Sequence, residues 1–286
     1  MDNLKAKKRH PEEIAVYSAI YVCAAFSVLL LLGIIVYVFA KGARRVNWAF
    51  LTGVTSILHG TVGIAGNILN TLIIILLTMI ITTPIGVGAA IYLNEYAKPG
   101  KLVTVIIFAT ETLAGIPSII FGLFGMLFFG QLCHMGYSLL TGSLTLTLMV
   151  LPLVTRNTQE ALKTVPDSFR TGAVGLGAGK WYTIRTILLP SAMPGIVTGV
   201  ILAIGRIIGE SAALLFTAGS AHLLPKTFDV FLEKIFHSGG TLTIQLYLSA
   251  SKGEFEVAFG IAVVLLVIVL LINFGTKRLA KKLEKH

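Results

Sequence analysis

The residues of this chain best equipped for chemistry sit in a run with almost no other polar atoms. Gly205-Arg206-Ile207-Ile208-Gly209-Glu210-Ser211 lies within Ser191 to Ala218, where Arg206 and Glu210 are the only charges. Four residues apart, they share one face if the run is helical. A guanidinium stays protonated and offers a fork of donors to two oxygens, so Arg206 suits a tetrahedral oxyanion. The same spacing also allows a closed ion pair that only fixes packing. Glu111, in Thr110-Glu111-Thr112, either neutralises Arg206 or is a protonated, hydrogen-bonded structural residue. Ser118, after Pro117, is placed to open a half-helix whose exposed amides favour an anion. With Ser211 these form the candidate set: Arg206, Glu210, Glu111, Ser118 and Ser211. Cys23 and Cys133 have neither disulfide-framework nor metal-ligand spacing, and no Gly-x-x-x-x-Gly-Lys-Ser/Thr run is present. We therefore expect no metal, no nucleotide site and no catalytic group in this chain.

The surroundings of those residues define their solvent. Of 286 residues, 55% are hydrophobic and 13% charged, with a mean hydropathy of +0.87; soluble domains run at roughly 45–50% apolar and about 25% charged. A net charge of +10 on so few charged residues leaves no broad basic face for nucleic acid. Six segments reach the roughly 20 apolar residues needed to cross a bilayer: Ile14 to Ala40, Asn67 to Leu93, Leu102 to Phe129, Gly136 to Val154, Ser191 to Ala218 and Val257 to Gly275. The first is uncharged for 27 residues, too long for a signal peptide, and reads as an uncleaved membrane helix. With an even number of spans both termini share a side, which receives sixteen of the 23 Lys and Arg. Six fall opposite, and the last, Arg206, lies within a span. The positive-inside rule then places both termini in the cytoplasm. A charge at membrane depth costs at least about 2.5 kcal/mol and faces a partner or a water-filled cavity.

The spans contain helix breakers, Thr83-Pro84-Ile85-Gly86-Val87-Gly88 in the second and Gly115-Ile116-Pro117-Ser118 with Gly122 and Gly125 in the third. Each glycine permits close helix packing, and two interrupted spans in succession also fit a bundle around a pathway. Outside the spans, Lys41 to Gly66 and His222 to Glu256 read as short interfacial helices, serving either as a docking surface or as connections lying on the membrane. The cytoplasmic stretch Arg156 to Pro190 is more organised than a connection requires. Val165-Pro166-Asp167-Ser168 starts a helix, Gly175 and Gly177 end or turn it, and Trp181 to Leu188 resumes. It projects rigidly toward a soluble partner, or rests amphipathically on headgroups.

That stretch resembles the signature of permease subunits in type I ABC importers, a Glu-Ala-Ala motif followed at fixed spacing by Gly and Ile-x-Leu-Pro. The matching positions are Thr171-Gly172-Ala173, Gly177, Ile187, Leu189 and Pro190, with Thr171 and Gly172 standing where the motif has Glu and Ala. A longer resemblance, to phosphate importer permeases of the PstA type, runs through Ala90-Ile91-Tyr92-Leu93-Asn94-Glu95-Tyr96-Ala97, Gly115 to Gly125, Leu144-Thr145-Leu146, Leu176-Gly177-Ala178, Trp181, Pro194 to Gly199 and Gly205-Arg206 to Leu215. It implies a second permease of the PstC type, a dimeric cytoplasmic ATPase of the PstB type that uses ATP and Mg, and an extracytoplasmic phosphate-binding protein of the PstS type. It also implies that Arg170, Thr171, Gly172, Ala173, Gly177, Ala178, Ile187, Leu189 and Pro190 couple the chain to the ATPase.

The expectation is thus an all-α, six-span protein of a bacterial or archaeal cell membrane, with the type I importer permease fold. Residues 1–66 would hold the amino tail, first span and outer connection, 67–275 the transmembrane core with its coupling loop 156–190, and 276–286 a basic cytoplasmic tail. Its expected function is half of an alternating-access pathway for inorganic phosphate. The rivals are a permease for sulfate, molybdate or phosphonate, and an integral membrane enzyme acting on lipid phosphates.

Overall fold

A computed structural model describes residues 11–56, 61–222, 224 and 233–283. The basic run Lys5 to Arg9, residues 223 and 225–232 of the second outer segment, and the last three residues lie outside the described residues.

The long apolar runs become helices because lipid offers backbone amides no other partner. Helix α1 (Pro11–Gly42) spans 32 residues, about 48 Å at 1.5 Å per residue. The outer connection after it folds into a one-turn helix α2 (Trp48–Thr52), started by Asn47 accepting from Phe50 N–H at 2.8 Å. It then forms an antiparallel pair, β1 (Val54–Ser56) and β2 (Thr61–Ile64). The expectation of an interfacial helix therefore holds in part; Val54, Thr55, Val62 and Ile64 favour strand at this point. Helix α3 (Ala65–Ile91) passes through Pro84 and ends in a π-helical turn, Tyr92–Tyr96.

The third span is bent. Helix α4 (Lys101–Gly115) stops at Ile116-Pro117, and α5 (Ser118–Gly125) leaves at 104° before loosening into π geometry over Met126–Leu132. Proline disfavours helical geometry in the residue before it, so Ile116 is extended and the break is fixed in sequence. Helix α6 (Leu139–Lys163) is the most enclosed span and extends nine residues beyond the Val154 limit expected from hydropathy. Nothing between Val154 and Lys163 breaks a helix; the stop comes at Pro166.

Beyond it come α7 (Asp167–Gly175) and α8 (Lys180–Thr183). Helix α8 continues through a π turn at Ile184–Leu188 into α9 (Leu189–Gly209). A second break separates α9 from α10 (Ala212–Thr217). Helix α11 (Leu242–Ser251) and the last span, α12 (Phe255–Leu283), complete the chain. The six segments expected to cross the membrane are those that fold as five long apolar helices and one bent pair.

The core gathers α3, α5, α6, α9 and α10 around Ile74, Leu146, Val150, Val154, Ala203 and Leu214. Small hydroxyl residues let the helices approach, and their oxygens turn back onto their own helix: Ser143 donates to Leu139 O at 2.8 Å and Thr145 to Thr141 O at 2.8 Å. On the outer side, Asn67 and Asn70 donate to Gly240 O at 2.9 and 3.0 Å, and Thr71 Oγ1 accepts from Leu242 N–H, which ties the second outer segment down onto α3.

The glycines divide by surroundings. A Cβ on Gly122 would stand 2.8 Å from Ala213 Cα, and one on Gly125 would collide with the Thr145 side chain, whereas Gly88 and Gly115 face open space. Gly125→Val should therefore lower the thermal unfolding midpoint of the detergent-solubilised protein by the equivalent of about 1–3 kcal/mol. Gly115→Ala should leave it unchanged.

Candidate functional site

Arg206 lies in the last turn of α9, exposed and without an ion pair among the described residues. The closed Arg206–Glu210 ion pair that the spacing allows is absent among the described residues. Helix α9 ends at Gly209 and Glu210 is extended (φ −81°, ψ 122°), so the two no longer share a helical face. The Glu210 carboxylate instead accepts from Ala213 N–H at 3.0 Å, in the first turn of α10, where free amides and the helix dipole favour a negative charge. Its carbonyl accepts from Thr243 Oγ1 at 2.8 Å. Glu210 thus stitches the break shut behind Arg206. Ser211 is half-buried at the start of α10 and does not cap it.

Glu111 does not neutralise Arg206 either. Its Oε1 lies 2.8 Å from Arg156 Nη2, a bridge between α4 and α6 with both side chains about half exposed. Hydropathy ends the fourth span at Val154 and leaves Arg156 among the cytoplasmic cations, while helix α6 carries it on without a break to Lys163. The absence of a helix breaker before Pro166 is the sequence signal for that continuation.

Two cavities meet at this residue. The first, about 240 Å³, is lined by Thr110, Ala114, Met149, Pro152, Leu153, Arg156 and Arg206. The second, about 300 Å³, carries Glu111, Arg156, Gln159, Glu160 and Lys163 toward the cytoplasmic end of α6. Thr110 and Arg156 belong to both. The result is a polar track down one side of α6, headed by two guanidiniums, one unpaired and one held by a single carboxylate. Such a track presents donors to an oxyanion and gives it an alternative partner lower down. Ser118 opens α5 as expected, directly after the extended Ile116-Pro117.

The cytoplasmic stretch folds as helix, turn and helix. Gly177 takes φ +80°, a left-handed conformation that glycine adopts without penalty, and reverses the chain between α7 and α8. Of the residues expected to reach outward, Thr171, Gly172 and Pro190 are exposed, Ala178, Ile187 and Leu189 are half-buried, and Ala173 is buried. Arg170 turns inward. It donates to Glu95, in the π turn that ends α3, from Nη2 at 2.9 Å and Nε at 3.3 Å, and also to Asp167 Oδ1, Val165 O and Leu162 O, each at 3.0 Å. Glu95 is 8% exposed, and its hydrogen bond holds the Arg170 pKa above the ordinary value, against the opposing effect of burial. The outward surface belongs to large apolar side chains that sequence reasoning left out, Val174 and the almost fully exposed Leu176, with Trp181 and Tyr182 beside them.

Residues 82–286 match the family described as binding-protein-dependent transport system inner membrane component. The chain belongs to that family. It is 35% identical over 273 residues to the probable ABC transporter permease protein YqgI of Bacillus subtilis, a match covering 92% of this chain and 93% of that protein. It is also 35% identical over 246 residues to the phosphate transport system permease protein PstA of Xylella fastidiosa, with 84% and 82% covered. A bacterial alginate ABC transporter, crystallised with its alginate-bound periplasmic protein, contains a chain that superimposes over 96% of both at a TM-score of 0.71. At 14% identity that likeness establishes the fold alone.

The permease is therefore a multi-pass inner-membrane subunit with the type I importer fold. Proteins of this family work with another permease, a binding protein and a separate ATPase subunit, to which ATP hydrolysis belongs. In such an assembly the Glu95–Arg170 brace has a measurable role. Glu95→Gln leaves a guanidinium enclosed with its strongest acceptor removed, which is costly in a buried pair. The expected outcome is an assembled complex that hydrolyses ATP while moving several-fold less substrate per ATP, read from parallel hydrolysis and uptake assays on proteoliposomes.

Proposed function

We propose that this permease forms half of the transmembrane pathway for inorganic phosphate in an ATP-driven importer. The single observation behind this reading is that Arg206, unpaired, and Arg156 line the same cavity within the membrane bundle. Two guanidiniums at that depth are too costly to serve as packing, and they match an ion carrying its charge over several equivalent oxygens. The name of the Xylella fastidiosa relative, a phosphate transport permease, points to the same ion. The assembly would contain a second permease of the PstC type, a dimeric ATPase of the PstB type supplied with ATP and Mg, and a binding protein of the PstS type. The permease itself would hold no metal or cofactor.

The ion-pair geometry suggests how binding stays weak enough for release. Phosphate arriving at Arg206 would compete with Glu111 for the Arg156 guanidinium, an exchange of one oxyanion partner for another at that residue. Glu210 would act on the backbone, by holding the α9–α10 break that sets the position of Arg206. On the cytoplasmic face, the loop from Arg170 to Gly179 would dock into the ATPase through Val174, Leu176 and the exposed Thr171 and Gly172, with Arg170 serving as the internal brace.

Cells lacking only this chain should lose high-affinity uptake of radiolabelled phosphate and regain it with the intact chain, while sulfate and molybdate uptake stay constant. Arg206→Gln and Arg156→Gln should each reduce that uptake by about tenfold to a hundredfold, the worth of a charge-assisted hydrogen bond. The corresponding Lys variants should retain part of it. Normal phosphate uptake by Arg206→Gln in an assembled complex would remove Arg206 from the pathway. A selective loss of sulfate or molybdate uptake would reassign the substrate.

A further inference from the structure

A separate cavity lies remote from the polar track. It encloses about 830 Å³ between the outer end of α1 and the start of α12, and is lined by Tyr37, Ala40, Lys41, Arg44, Arg45, Phe255, Glu256 and Phe259. The two helices touch closely beside it: a Cβ on Gly42 would collide with the Phe259 carbonyl, and the Tyr37 and Phe259 rings meet edge to face at 5.7 Å. The pocket beside that contact combines three aromatic rings with four charged side chains.

Its charge is unbalanced. Three cations face one carboxylate, and among the described residues none of the three makes an ion pair. Lys41 Nζ sits 6.0 Å from the centre of the Tyr37 ring and the Arg45 guanidinium 5.8 Å from that of Phe50, while the buried Arg45 Nε has no hydrogen-bond acceptor. With both termini cytoplasmic, these three are half of the six Lys and Arg on the outer side, where basic residues are otherwise sparse.

The level of the pocket in the membrane identifies the occupant. Lys41 directly follows the 27 uncharged residues Ile14 to Ala40, so the pocket stands where hydrocarbon gives way to headgroups. Tyr37, Phe255 and Phe259 supply the aromatic belt expected at that level. Below it, α1 is apolar and uncovered, with Ile34 56% and Val36 65% exposed, which provides a wall for acyl chains. A free oxyanion has no use for that wall, a soluble protein does not reach below the headgroups, and an apolar helix of the second permease would bring no anion to the three cations. We propose that this cavity binds the phosphodiester of an anionic phospholipid in the outer leaflet, with Lys41, Arg44 and Arg45 on the phosphate and the chains along α1 and α12. The site is independent of which substrate the transporter carries.

The test is native mass spectrometry of the intact transporter, purified with all its subunits and supplied with phosphatidylglycerol, phosphatidylethanolamine or inorganic phosphate. Phosphatidylglycerol should be retained over phosphatidylethanolamine, and millimolar inorganic phosphate should not displace it. Lys41→Gln, Arg44→Gln and Arg45→Gln should each weaken retention about fivefold, and Lys252→Gln, at another exposed outer cation, should not change it. Co-purification of the other subunits shows that each variant still folds and assembles. Equal retention of the two lipids, retention unaffected by the three substitutions, displacement by inorganic phosphate, or protection of a cysteine at Ala40 from labelling by the second permease in delipidated complex would each overturn the proposal.

Discussion

Backbone groups freed inside a membrane have no water to satisfy them, and two helix breaks among the described residues free them, at Ile116-Pro117 and at Gly209-Glu210. The two breaks are solved together. The half-helices that follow them, α5 and α10, pack against each other where Gly122 meets Ala213. The amide of that same Ala213 is the one accepted by the Glu210 carboxylate. A side chain at residue 122 or a neutral residue at 210 would strike the same joint from opposite sides. The position of Arg206, one turn before the second break, depends on it, and so does the cavity that Arg206 lines with Arg156.

Much of this architecture can be read from the residue order. The spans follow from runs of apolar residues, the orientation from basic residues, and the 104° bend from Pro117 preceded by a residue that cannot stay helical. The cytoplasmic helix, turn and helix follow from Pro166 and Gly177. Side-chain partnership is much less legible. Arg206 and Glu210 are four apart, and only the break between them, which depends on α10 and Thr243 from distant sequence, shows that they do not pair. Hydropathy ends the fourth span before Arg156 because it treats a charge as a boundary, whereas the helix itself runs on to Lys163. Arg170 lies within a motif-like segment that suggests an outward contact, yet its carboxylate partner, Glu95, is 75 residues away. Pairings of that kind depend on topology, and the local sequence does not encode them.

The charges inside and beneath the membrane form two unlike sets. Those on the polar track are open: Arg206 has no ion pair among the described residues, and the Arg156–Glu111 bridge is half exposed on both sides. The pair beneath it is closed, since Glu95 is enclosed and Arg170 fills its remaining donors with Asp167 and two backbone carbonyls. Open charges can exchange partners at little cost, whereas breaking an enclosed pair leaves an uncompensated charge. The first set is therefore suited to handling an ion and the second to holding shape.

That division bears on how movement at the cytoplasmic face reaches the ion. The projecting loop is not an appendage of one helix. Helix α6 enters it from one side, carrying Arg156 about two turns above its end, and α8 leads out of it through a π turn into α9, which carries Arg206. Leu162, Val165, Ile184 and Leu188 close the base of the loop as one apolar cluster, and Arg170 bolts it to the end of α3 through Glu95. The loop base is thus tied to α3, α6 and α9, two of which carry the guanidiniums of the track, with the π turn as the place of least backbone regularity along the route. The two guanidiniums ride on different helices that pack against each other in the core and again at this base. In the proposed pathway, a displacement of the loop that tilts one helix against the other would change the spacing between them, and with it the hold on an oxyanion.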